Sequence, residues 1–503
     1  MSTRKTIAKN AGALLISQLA TWLLSFVLTI FLPRFLGSTA MGKLALASSL
    51  WAIGTIIVTF GMDTFLTKEI ARNPARASEL FGSSFLLRIA MHVVVYGGVV
   101  AYLVLLRYPA DTTLVVCIVG ISSLFWELIG ACQATLQGLE RMDLMTVANI
   151  LGKGVNTVVC IMLLLLGQGV YAIAIVGILA AAVTLAVQLR ALSHQIPLNM
   201  RVNWATGRTM LRSSLPYLLS GVFLVAYAQM DVVIISLLVD EKTIGWYGAA
   251  GQLFATLMFV PNVFITAVFP TLSRMFAQSP DALPRVMRKS FDWLLLISIP
   301  IGLGLFVTAD SLVVLLFGPD FVQSGPILSL MGIVLILTYL NILLGQFLTS
   351  TDRQNRWTLV MAIGTALTIA LDLVFVPWCR DTFGNGGIGG SLSFIITEAG
   401  MVVYGIAMLP KGSLGRANVW VAARILLAGG VMTVAAWLVR PMFTALGPFG
   451  IAVPIVVGAV VFVVMTLILR LVPHDDMAMI LSVMRGLRDR ISARRLRPEQ
   501  GSR

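Results

Sequence analysis

The sequence predicts an all-α polytopic membrane fold: fourteen transmembrane helices, arranged as two parallel six-helix repeats with two extra helices at the C-terminal end. Three observations predict it. Of 503 residues, 58% are apolar and 12% are charged, against about 25% charged in a soluble domain. The apolar residues gather into runs of about 20, the length a helix needs to cross the hydrocarbon core, not into short barrel strands. The runs also repeat, the second half of the chain echoing the first. A soluble enzyme, a nucleic-acid binder and a disordered scaffold are thereby excluded as readings.

The elements follow in order. Residues 1–10 carry Arg4 and Lys5 and form a polar N-terminus. The run at 11–32 is too long for a signal-peptide core and lacks a cleavage site after it, so it is the first span. Spans at 44–66, 81–106, 113–136, 145–166 and 169–189 complete an N-lobe over 11–190. A polar linker occupies 191–213. Spans seven to twelve, at 214–238, 245–269, 291–317, 324–348, 357–378 and 386–409, form a C-lobe over 214–410. Two more, at 419–439 and 447–470, lie in the segment 411–470. Pro216, Pro261, Pro270 and Pro300 sit in or at the ends of spans seven to nine, where helices bend. The remainder, 471–503, reads as a basic amphipathic tail. Ile480, Met484, Leu487 and Ile491 share one helix face and arginines crowd the rest, a pattern suited to anionic lipid on the cytoplasmic leaflet.

Charge placement gives the orientation. An even span number puts both termini on one side. Of the 36 Lys and Arg residues, 28 fall on that side, counting Arg424 and Arg470 near the ends of their spans, and 6 on the other, with Arg88 and Lys153 inside spans. Both termini are therefore expected in the cytoplasm. The formal charge of +14 follows from these loops and needs no nucleic acid to explain it. The repeat is seen at three places. Gly167 and Gly384 each open a glycine-rich start to a span; Leu136 to Arg141 matches Leu348 to Arg353; Gly42 matches Gly245 at an offset of 203 residues. Six spans per repeat make the two halves parallel. The four Cys and three His form no metal or disulfide pattern, and no nucleotide-binding motif is present. No cofactor is expected.

Charged side chains at bilayer depth cost about 2.5–3.5 kcal/mol each and need a reason. Arg88 and His92 share a face of the third span. Asn149, Lys153 and Asn156 share a face of the fifth. Glu127 lies in the fourth, Asp231 in the seventh, and Asp372 and Glu398 in the eleventh and twelfth. A cavity lined by these is aqueous and partly cationic, suited to an anionic headgroup. Arg88 is near enough to the end of its span to pair with Glu69 or Glu79 instead. Asp231 has no positive charge in its own span. The connections on the side away from the termini are too short for a reactive domain, which leaves binding and movement rather than catalysis.

Several stretches resemble a known family. They are Thr67 to Arg72 with Arg88; Leu36-Gly37 followed by Met41-Gly42; Met230-Asp231 followed by Gly245-Trp-Tyr247-Gly-Ala-Ala250; Phe269-Pro270-Thr-Leu-Ser273; and the glycines from 384 to 390. In this order they are similar to the polysaccharide flippases of the multidrug/oligosaccharidyl-lipid/polysaccharide (MOP) exporter superfamily. The resemblance implies two six-helix lobes around a central cavity. It implies alternating-access movement of an undecaprenyl-diphosphate-linked oligosaccharide across the bacterial inner membrane, driven by H⁺ or Na⁺. It places Arg88 and Lys153 toward the substrate and Asp231 toward ion coupling; the reading of the buried polar residues adds Asn149 and Asn156 to the first set and Glu127 and Asp372 to the second. A polysaccharide polymerase and a chain-length regulator are the protein partners to look for. A peptidoglycan-precursor flippase or a drug/ion antiporter of the same superfamily is the alternative, with a membrane glycosyl polymerase or ligase further off.

Overall fold

The structure, a computed structural model, describes residues 3–198, 203–265, 283–409 and 412–472. Among them every regular element is helical, as the bilayer requires of a chain that must satisfy its own backbone polar groups. The helices are α1 (Thr3–Thr59), α2 (Met62–Arg72), α3 (Ala77–Leu105), α4 (Ala110–Gly138), α5 (Met142–Leu165), α6 (Val170–Ser193) and α7 (Trp204–Leu238). They continue as α8 (Glu241–Leu257), α9 (Leu283–Phe317), α10 (Ser324–Ser350), α11 (Gln354–Phe383), α12 (Gly386–Ala407), α13 (Arg416–Val439) and α14 (Ala452–Ile468).

The first two expected spans run together in α1 and α2. Gly37 breaks α1 with a left-handed φ of 78°, and Phe60 and Gly61, at 50° and 72°, separate α1 from α2. Spans three to fourteen each fall on the helix of the same number, the last residues of the eighth, 266–269, lying outside the described residues. Twelve helices among the described residues are long and apolar enough to cross a membrane. Dividing the first of these at Gly37 and adding the 17-residue α14 recovers the expected fourteen. The Phe269–Ser273 motif, Pro270 and the basic tail lie outside the described residues.

The helices stand as they do because one face is greasy and the other is not. In α5, Val147, Leu151, Val158, Met162 and Leu165 are exposed at helical spacing, while Asn149, Gly152, Lys153, Asn156 and Cys160 turn inward. The first lobe's core joins α2, α3, α4 and α6 through Leu66, Phe81, Cys132 and Leu185. The second joins α9, α10 and α12. The two extra helices belong to the second lobe: Ile425, Ala428, Met432 and Phe462 pack on Leu294, Leu295 and Ile299 of α9. The expected linker 191–213 is already helical from Trp204, and Met210 is buried in the first lobe's core.

The lobes meet where α1 crosses α8. A Cβ on Gly42 would stand 1.9 Å from the Glu241 carbonyl oxygen, and one on Gly245 would stand 1.8 Å from that of Ser38. Small residues let helix backbones touch in this way. The contact is reciprocal at the repeat offset, since 38 pairs with 245 and 42 with 241, as a pseudo-twofold axis between lobes demands. The crossing lies at the end away from the termini, and polar bonds reinforce it there. Lys43 pairs with Asp111, and with Glu241 at 3.5 Å. The break at Gly37 frees the Ser38 N–H, which donates to the Asp320 carboxylate at 2.7 Å and so gives half of α1 a cap from the opposite lobe. Burial pushes the Asp320 carboxyl up, but the Ser38 bonds and Lys242 outweigh it and hold it below its ordinary value.

Candidate functional site

The polar interior of the first lobe is a connected network. Arg88 on α3 has no exposed surface. Its guanidinium donates to Asp63 Oδ1 on α2 at 2.6 Å, to the Glu127 carbonyl oxygen on α4 at 2.5 Å and to Ser84 Oγ at 3.3 Å. The Glu127 carboxylate accepts hydrogen bonds from Thr55 and Ser123 on one oxygen. Its other oxygen lies 2.8 Å from Nδ1 of His92, whose ring stacks on Trp51 at 5.1 Å. Glu127 is buried, yet it is fully partnered.

Arg88 therefore does not pair with Glu69 or Glu79, the partners its sequence position suggests. Those two carboxylates hold Arg76 at the surface. Asp63 is the partner, and sequence reasoning passed over it. The signal was available: Asp63 falls inside the second expected span and carries the same cost of burial as the residues singled out. Its carboxylate is 47% exposed and lines a cavity of 530 Å³ with Thr64, Thr67, Lys68, Gly130, Gln133 and others. These residues lie at the ends of α2 and α4 nearest the termini, so the cavity opens toward that end.

The fifth-span face is arranged around Asn149, whose Oδ1 accepts from Gln133 at 2.9 Å and from Gln188 at 3.2 Å. Asn149 thus stands one hydrogen bond behind the cavity wall formed by Gln133. Asn156 accepts a weak bond from the Cys160 thiol. Lys153 is half-buried on the same face and makes no hydrogen bond or ion pair among the described residues. Lys153 and Asn156 do not line the 530 Å³ cavity.

The second lobe's interior has the opposite character. Asp231 on α7 accepts a 2.5 Å bond from the Tyr247 hydroxyl on α8. Asp372 on α11 is fully buried, and both its carboxylate oxygens lack a hydrogen-bond partner among the described residues. Glu398 on α12 accepts from Tyr227 and Thr338, each at 2.8 Å, and from Asn341. No ion pair reaches any of the three among the described residues. The glycines at the start of α12 make this packing possible. A Cβ on Gly389 would lie 2.3 Å from the Phe375 carbonyl oxygen, and one on Gly390 would lie 3.1 Å from the Tyr247 ring. Two stretches that read as separate motifs in the sequence, Met230-Asp231 and Gly245 to Ala250, meet in one place. Tyr247 caps Asp231 while Gly245 holds the lobe crossing.

Residues 31–326 match the family described as "Polysaccharide biosynthesis protein", more than half of the chain. Two curated relatives are similar over most of it. A probable low-salt glycan biosynthesis flippase, Agl15 of Haloferax volcanii, is 23% identical over 78% of this chain and 81% of its own. A succinoglycan biosynthesis transport protein, ExoT of Rhizobium meliloti, is 24% identical over 65% of this chain and 66% of its own. Among solved structures, the lipid II flippase MurJ in an inward closed conformation superposes with a TM-score of 0.70, at 12% identity, over 92% of this chain and 98% of that one. An inward-facing multidrug resistance MATE family transporter of the MOP superfamily gives 0.64, at 14% identity, over 77% and 93%. These likenesses establish the fold.

Proposed function

The chain belongs to the polysaccharide biosynthesis protein family, and from that premise we propose that it is a flippase for a lipid-linked oligosaccharide. Its cargo is a polysaccharide repeat unit on undecaprenyl diphosphate, carried from the cytoplasmic to the periplasmic leaflet of the bacterial inner membrane. The oligosaccharide and diphosphate cross between the lobes while the polyprenyl tail stays in lipid. Both termini are cytoplasmic, so the 530 Å³ cavity faces the compartment where the sugar is assembled. It is a transporter and not an enzyme.

The observation that carries this reading is the division of the buried charge. The first lobe holds the inward-facing intramembrane cations, Arg88 and Lys153; the second holds Asp231, Asp372 and Glu398 with no basic partner among the described residues. An anionic headgroup is served by the first lobe, with Asn149 and Asn156 beside Lys153. A buried acid group without a basic neighbour is made tolerable by a proton or a monovalent cation. Asp231 and Asp372 accordingly take the coupling ion, H⁺ or Na⁺. Glu127, already bonded to His92, relays the state of the first lobe. The basic tail binds anionic lipid, and a polymerase and chain-length regulator receive the product.

Deletion of the gene tests it. The expected result is loss of the exported polysaccharide with accumulation of its lipid-linked unit in the cytoplasmic leaflet, restored by the wild-type chain. Intact export, or a change in drug susceptibility alone, refutes the reading.

A further inference from the structure

The Arg88 seat presents a difficulty for a carrier. A guanidinium with no exposed surface is costly without an anion beside it, yet an alternating carrier spends part of each cycle empty. The geometry around Arg88 resolves it. Two of its three bonds, to Ser84 and to the Glu127 carbonyl, are buried within the lobe. The third, to Asp63, is the one that faces the cavity. Gly130 lines the same cavity directly over the pair. A Cβ there would stand 2.9 Å from Arg88 Nη1 and 3.5 Å from Asp63 Oδ1, so the glycine leaves room for the pair, with the Asp63 carboxylate exposed to the cavity and Arg88 directly behind it.

We propose that Asp63 is the resident counter-anion of this seat: it holds on Arg88 the place that a phosphate of the cargo's diphosphate takes, and the two exchange in each cycle. The inference rests on the reading of the cargo as a lipid diphosphate. Carboxylate and phosphate offer a guanidinium fork the same kind of oxygen acceptor, and the fork retains N–H donors beyond its present bonds. Asp63 is also placed to leave. It sits in the first turn of α2, just after the left-handed pair Phe60 and Gly61, so this short helix shifts without carrying α1 with it. Lys68 and the amide of Gln133 lie on the same cavity wall and receive the displaced carboxylate. Gly61 touches the α7 backbone, where its Cβ would stand 2.7 Å from the Leu218 nitrogen. Displacing Asp63 therefore disturbs a lobe-to-lobe contact, which ties occupancy of the seat to the relative position of the lobes.

The test is binding of farnesyl diphosphate to the purified full-length protein in detergent, by titration calorimetry, with farnesol as the tail-only control. Asp63→Asn removes the competing charge and keeps the shape; its affinity for farnesyl diphosphate rises at least tenfold, while export in cells falls because release slows. Asp63→Glu restores the competitor and binds like the wild type. Arg88→Lys loses the fork and binds weakly. Should the Asn variant fail to purify, Asp63→Ser reads the same ratio. Equal or weaker binding by a folded, uncharged variant, in a strain whose export needs the protein, overturns the exchange while leaving the flippase reading intact. Tighter binding in a strain whose export survives deletion supports the seat and overturns the cargo.

Discussion

Replacing Gly245 with Ala should loosen the lobes at the end away from the termini. The added methyl would sit 1.8 Å from the Ser38 carbonyl oxygen, where an ordinary C···O contact is about 3.3 Å. The two helices must therefore part by about 1.5 Å, or α1 must bend. Overpacking of this kind costs about 1–3 kcal/mol, and at about 1.4 kcal/mol per decade the sealed arrangement loses roughly five- to more than a hundredfold in relative population. The same displacement strains the Ser38–Asp320 bond of 2.7 Å and the Lys43–Glu241 pair of 3.5 Å, so neither compensates. Ser38 is 1% exposed, which makes Ser38→Cys a quiet reporter in a Cys117→Ser background. A membrane-impermeant maleimide added from outside should label it slowly when residue 245 is Gly and about tenfold faster when it is Ala. Gly42→Ala should give the same acceleration, because the contact is reciprocal. Unchanged labelling in both variants refutes the crossing as the element that holds this end shut.

Other expectations follow from the same geometry. Asp231→Asn keeps an acceptor for Tyr247 but removes a buried charge; export should fall tenfold or more and lose its dependence on Na⁺ or pH, while the melting temperature holds or rises. Asp320→Ala removes the cap across the lobes, worth about 1 kcal/mol, and should speed Ser38→Cys labelling several-fold. Because the Asp320 carboxyl is held below its ordinary value of 3.8, its contribution is complete above that value and is lost as pH falls through the lower, folded one. Labelling should therefore be flat from about pH 8 to pH 5 and rise only in stronger acid; a transition near pH 6 would point to another group. Gly429→Leu drives a side chain into Ile299, which a Cβ alone would approach to 2.4 Å. It should detach α13 from α9, lowering stability by about 1–3 kcal/mol without changing Ser38 labelling.

The sequence makes the helices legible because a membrane span has one dominant requirement, a run of apolar residues of fixed length. The expected spans from the third to the fourteenth lie on their helices, as far as the described residues reach, for that reason. The break at Gly37 falls in the polar gap between the first two expected spans, but the one at Gly61 was not legible, since it lies inside the expected second span, 44–66. The cost of buried charge pointed to Arg88, Glu127, Asp231 and Asp372, all buried in the structure. It did not say who meets whom. Asp63, 25 positions from Arg88, and Tyr247, 16 from Asp231, become partners only through helix packing. Gly42 and Gly245 were legible as equivalents in a repeat, yet nothing in the chain says that equivalent residues touch across the axis. That contact is a property of the symmetry and not of either sequence window.

In the proposed carrier, cargo and ion would be coupled through charge. A diphosphate entering the first lobe adds negative charge to an interior that already holds Asp231, Asp372 and Glu398 without a basic neighbour. Uptake of a cation by those acids offsets that charge, so each ligand lowers the cost of the other. Such linkage is reciprocal: whatever the ion adds to headgroup affinity, the headgroup adds to ion affinity. Asp63 sets the scale on the empty side of the cycle. In the proposed exchange, Asp63 on Arg88 would leave the acids of the second lobe with less need of a cation, and its displacement by the diphosphate would make the freed carboxylate and the cargo both favour ion uptake. A carrier with Asp63→Asn loses that contrast between its empty and loaded states, and one with Asp231→Asn loses the group that responds to it. The two lesions act on opposite lobes of one exchange.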